Sequence, residues 1–184
     1  MEILYTLLLI IFISISPIFG FLLAKSTREE QAKARPYLSV AFVVIFAILG
    51  AIIINLNISS FYVFLISFMF GVLLSFFIKS YLFFTGLIFF SNLIVVQNAL
   101  FVISALIFLL NILIGSFLYN KNQKITYFIK KELLLFIIPV VGYLIYLGAS
   151  PSINLLSGAG ISAILTLMIK QKSNKPRPSI KNKR

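Results

Sequence analysis

Apolar residues fill this chain in long blocks, and the polar breaks between them alternate in kind. One kind is basic: residues 25–35, Lys79, residues 121–131, and the stretch from Lys170 to Arg184. The other kind, at Asn57–Ser60, Gln97-Asn98 and Ser150-Pro151, carries no charge. Each apolar interval between two basic breaks is about forty residues long, which two helices of about twenty fill. The pattern predicts seven spans, at about 3–24, 37–56, 61–78, 81–96, 99–119, 132–148 and 151–169.

Lys and Arg beside membrane crossings are kept on the cytoplasmic side. With all four basic breaks on one face, the N-terminus lies outside and the C-terminus inside. Lipid offers no partner to a free backbone group, so each span must be a continuous helix. The expected fold is therefore all-α, a polytopic bundle of seven transmembrane helices in which chain neighbours pack antiparallel. It is followed by a basic, disordered cytoplasmic tail at 171–184.

Composition agrees, with 61% hydrophobic and 11% charged residues in 184. Almost the whole chain is needed for the spans, which leaves no length for a separate soluble domain. The net charge of +12 borders the spans and forms no folded basic face. It points to anionic inner-leaflet headgroups and away from nucleic acid. The first block has Met1-Glu2 before it and Lys25 and Arg28 after it, so it reads as a retained span of a cell-membrane protein rather than a cleaved signal. Lys25, Arg28, Lys33, Arg35, Lys121, Lys124, Lys130, Lys131, Lys170 and Lys172 are the expected headgroup and topology contacts.

Smaller signals refine the inner loops. Thr27 with Glu30 matches a capping box, and Pro36 suits the first turn of span 2. Residues 120–131 mix Lys with Ile and aromatics, which suits the headgroup region. Ser150-Pro151 reads as the N-cap and first position of span 7. Tyr37, Tyr81 and Tyr119 fall at inner span ends, and Tyr5 and Tyr62 near outer ones, as an interfacial aromatic belt requires.

Candidate chemistry is sparse. Cys, His, Asp and Trp are absent, and the acids are Glu2, Glu29, Glu30 and Glu132, all at span ends. No metal site, cofactor or conventional catalytic set is implied. Intramembrane aspartyl and metalloproteases need residues that are missing, and a retinal protein needs a Lys within its last span. The runner-up enzymatic reading is lipid modification at the inner surface, with Glu29 or Glu30 as base.

The most distinct internal pattern is a repeated phrase. Pro17-Ile18-Phe19-Gly20-Phe21-Leu22-Leu23 and Pro139-Val140-Val141-Gly142-Tyr143-Leu144-Ile145 share P-x-x-G-[FY]-L-[LI]. Pro breaks the helical ladder, and paired interrupted helices build transporter sites, so Pro17, Gly20, Pro139 and Gly142 could flank a path. The plainer use of Pro and Gly is kinking and close packing. Ser91, Asn92 and Asn111 are intramembrane polar groups that tie helices together or touch a polar solute. Gly158, Gly160 and Ser162 form a small-residue packing surface.

Ser16 to Lys25 resembles the first helix of the acyl-phosphate-dependent glycerol-3-phosphate acyltransferases, a small seven-spanning family. That resemblance would imply a Gly/Ser/Asn-rich phosphate loop next. Residues 26–36 contain no Gly or Asn, so no catalytic residue carries over and the chain is not placed in that family.

The expected function is non-catalytic. The first reading is a small permease- or flippase-like carrier of an apolar or zwitterionic solute or lipid. The alternative is an accessory or scaffold subunit packed against other membrane proteins or a second copy of itself.

Overall fold

The computed structural model describes residues 2–56, 61–95, 100–119, 125–139 and 154–173, and all regular structure among them is helical. The elements are α1 (Glu2–Ser26), α2 (Gln31–Leu56), α3 (Phe61–Phe77), α4 (Tyr81–Val95), α5 (Leu100–Leu118), α6 (125–139) and α7 (Asn154–Ser173). α1, α2 and α5 contain stretches long and apolar enough to cross a membrane. The turns at 57–60 and 97–98, Lys121, Lys124, Gly142, Ser150-Pro151 and the tail from 174 lie outside the described residues.

α4 sits at the centre. From Phe84 to Ser91 every residue is buried, so this helix presents no face to the outside over two turns. A helix apolar all round is one that neighbours enclose. α5, α6 and α7 lie against it, and α1 and α2 cover α5. α3 lies against α7, at the edge of the assembly. The outward surface is apolar, with Phe12, Phe19, Val44, Ile66, Met69 and Leu73 exposed. In water such a surface would be a liability; in lipid it is the expected solvent-facing side.

The most extensive packing joins helices far apart in the chain. α1 pairs with α5, and α3 with α7. Phe12 stacks on Phe108 at 4.4 Å, and nine residues later Phe21 meets Tyr119 edge-on at 5.2 Å, so α1 and α5 run the same way. α3 and α7 also run the same way: Gly71 meets Ala159 and Ser162, and further on Lys170 Nζ lies 3.5 Å over the Phe76 ring. This differs from the expected neighbour-by-neighbour packing. The physical reason is that lipid supplies no hydrophobic drive between helices, so the closest pairs form where small residues let backbones touch. Those residues sit at 20 and 115, and at 71 and 159.

The first loop is also shorter than expected. α2 begins at Gln31, so Lys33 and Arg35 are helical and Pro36 is inside the helix. Only residues 27–30 form the turn. Thr27 makes no capping box: its Oγ1 donates back to the Leu23 carbonyl at 2.9 Å, closing the end of α1. A hydroxyl four residues after a free carbonyl at a helix C-terminus has that acceptor nearer than any amide ahead. Of the tyrosines, Tyr5, Tyr37, Tyr62 and Tyr127 are exposed, whereas Tyr81 and Tyr119 are half-buried and pack on Phe42 and Phe21.

Candidate functional site

Glycine marks four helix–helix contacts. A Cβ on Gly20 would fall on the Ile112 carbonyl of α5, and one on Gly115 would fall on the Pro17 carbonyl of α1. Pro17 and Gly20 are buried there. In α7 the small-residue run serves two neighbours. Ala159 and Ser162 face Gly71 of α3, while Gly160 faces Phe84 and Ile88 of α4, and Gly158 is buried with them. Gly86 of α4 accepts Phe136 and Pro139 of α6. The two halves of the repeated phrase thus meet different partners, α5 for Pro17 and α4 for Pro139.

The polar groups gather on the α4–α5 seam. Asn111 is fully buried, and its amide lies 2.8 Å from Thr85 Oγ1, which is also 3.1 Å from the Leu82 carbonyl. One hydroxyl proton serves one acceptor at a time. With the amide turned so that Nδ2 donates to Thr85 Oγ1, both bonds form together. In this orientation Oδ1 accepts, and among the described residues Nδ2 has no partner. Ser104, two turns earlier on α5, is buried, and its Oγ too has no partner among the described residues. Ser91 is buried and donates to the Ile88 carbonyl at 2.9 Å; Asn92 follows it in α4, with its side chain outside the described residues. The Asn111–Thr85 contact joins α5 to α4.

The basic residues collect at one end of the bundle. Gln31 Nε2 donates to the Ser116 carbonyl at 3.1 Å, joining the start of α2 to the end of α5. Phe21 stacks on Phe128 at 4.7 Å, joining the end of α1 to the start of α6. Ser80, between α3 and α4, bonds Glu132 in α6 at 3.1 Å, and Phe76 holds Lys170. Lys25, Arg28, Lys33, Arg35, Lys79, Lys130, Lys131 and Lys170 all lie within a few residues of these contacts, and Lys172 continues α7 at the same end. Of the acids, Glu29 and Glu30 are exposed in the turn, so the geometry gives them no buried partner for base chemistry.

The Ser80–Glu132 pair was not among the residues that the sequence singles out. A carboxylate at a span start reads as a boundary mark, and only the fold brings it to a serine 52 positions away. Among the described residues no group of His, Cys, Asp or Glu could hold a metal ion.

Comparison with protein-family models, with curated proteins and with solved structures finds no match for this chain.

Proposed function

We propose that this chain is a non-catalytic, multi-pass protein of the cell membrane that serves as an accessory or scaffold subunit beside other membrane proteins. In this reading all seven helices cross the bilayer, N-terminus outside, with the basic end against anionic headgroups of the cytoplasmic leaflet. The alternation of helix directions supports it: α1 and α3 end where α4 and α6 begin.

One observation carries the subunit reading. Gly20, Gly71, Gly86, Gly115 and Gly160 are each pressed against a neighbouring helix, and α4 is enclosed all round. A bundle filled in this way holds one shape, whereas a carrier must alternate between two. The apolar outward faces of α2 and α3 are then open to a partner's helices as well as to lipid.

Photo-crosslinking tests this in native membranes. A photoreactive side chain at Met69 or Val44, both exposed, should give a discrete protein adduct. Purified protein in vesicles should move neither labelled lipid nor small solutes faster than empty vesicles do. Flux above empty vesicles, lost in Gly20→Leu, would establish the carrier instead. That second reading draws on the buried Asn111 amide, a hydrogen-bonding group placed deep between two helices.

A further inference from the structure

Glu132 faces the protein from an unusual piece of helix. It sits in the π turn Ile129–Leu133 within α6, and such single π turns recur at functional positions. Phe128 and Phe136, on either side of it, are fully buried. Phe128 stacks on Phe21 of α1, and Phe136 lies against Gly86 of α4. The Glu132 side of α6 is therefore turned toward the bundle, and Glu132 is half-buried.

Its Oε2 accepts from Ser80 Oγ at 3.1 Å, and Ser80 is buried. Ser80 Oγ in turn accepts from the Phe83 N–H at 3.4 Å. Among the described residues the Glu132 carboxylate makes no ion pair, although Lys79 adjoins Ser80 and Lys130 and Lys131 precede Glu132 in the chain. Those three lysines are exposed, and Lys131 Nζ lies over the Tyr127 ring at 5.9 Å. A partly buried carboxylate is stabilised by a cation beside it. With those three lysines exposed, the carboxylate offers a place for a cation from outside the chain.

The immediate surroundings narrow that cation. A ligand with an ammonium for Glu132 and a phosphate beside it for the exposed lysines fits both, its acyl chains lying in the surrounding bilayer. We propose that Glu132 and Ser80 hold the primary ammonium of an ethanolamine-type phospholipid, with its phosphate on Lys79 and Lys130. A primary ammonium brings three N–H donors; a choline headgroup has none, and a glycerol headgroup has no positive charge. The proposal stands whether or not the chain has a protein partner.

Native mass spectrometry of the full-length, delipidated protein tests it with three lipids of matched acyl chains. The wild type should retain phosphatidylethanolamine about fivefold or more over phosphatidylcholine. Glu132→Gln, which keeps size and can still bond Ser80, should lose that preference with its melting temperature unchanged and its phosphatidylglycerol retention intact. Lys79→Gln with Lys130→Gln should lower phosphatidylethanolamine and phosphatidylglycerol alike. Free phosphoethanolamine at millimolar concentration should leave the lipid adduct in place; displacement would overturn the lipid as the occupant. Equal retention of both zwitterionic lipids by the wild type, with Glu132→Gln merely lowering the melting temperature, would reduce the pair to a structural tie and overturn the proposal.

Discussion

The carbonyl of Ile112 occupies the place where Gly20 would carry a side chain, and the carbonyl of Pro17 does the same for Gly115. Each helix of this pair thus has its glycine under the other's backbone. Removing the side chain at both points lets α1 and α5 approach closely, which is how small residues hold membrane helices together.

Gly20→Ala should therefore destabilise the bundle, because the new methyl meets backbone that cannot swing aside. Overpacking of this kind costs about 1–3 kcal/mol. Gly50 of α2 provides the contrast, since nothing lies within 4 Å of a Cβ built there. Gly50→Ala should be neutral or gain up to about 1 kcal/mol from helix propensity. Melting of the two variants in the same detergent checks the pair. Equal melting temperatures would contradict the close α1–α5 crossing.

The Thr85–Asn111 contact predicts an asymmetry. Thr85→Val leaves the fully buried amide with no partner in the seam, which costs about 1–3 kcal/mol. Asn111→Leu removes the amide and its unpartnered nitrogen together, and should cost less or nothing. The double variant should resemble Asn111→Leu alone. A thermodynamic cycle on the four proteins measures the coupling, and additive single effects would show that the contact is not made.

Topology can be read by labelling, since the chain has no Cys of its own. A cysteine at Glu30 or Lys79 should resist a membrane-impermeant maleimide in intact cells and react after permeabilisation. One at Asn57 or Ser152 should react from outside. Labelling of position 79 in intact cells would break the seven-span arrangement.

Lys170 lies 3.5 Å over the Phe76 ring at the shared end of α3 and α7. Phe76→Leu keeps an apolar side chain and removes the ring face. It should cost about 0.5–1 kcal/mol, the usual worth of such a contact where solvent reaches it. Lys170→Met should cost a similar amount, and the two should not add if the contact is real. Differential melting of the single and double variants decides this.

Helix existence and the single basic end were legible in the sequence because apolar length and charge position are properties of the chain alone. The central place of α4 was not. In a chain apolar throughout, hydropathy does not separate a helix facing protein from one facing lipid. What distinguishes α4 is Thr85, Gly86, Ser91 and Asn92 within fifteen residues, polar and small groups that lipid would disfavour. The α1–α5 and α3–α7 pairs were illegible for another reason. Gly20 marks itself as a contact point, but nothing in its neighbourhood names Gly115 as the other half. The capping expectation at Thr27 failed because a spent helix end offered its hydroxyl a nearer acceptor.

The parallel pairing of α1 with α5 has a consequence for how the protein is made. Gly20 and Gly115 are 95 positions apart, and a ribosome adds about 5–20 residues per second. The first helix therefore enters the bilayer roughly 5–20 s before its mate exists, with Ser16, Pro17 and Gly20 turned toward lipid. α3 must wait in the same way for α7. Until α5 emerges, any small-residue face in the surrounding membrane is a competitor for α1. A nascent chain arrested after α4 should expose that face to site-specific crosslinking with the insertion machinery, and one arrested well beyond α5 should not. For this chain, assembly is a matter of keeping early helices unpaired until the late ones arrive.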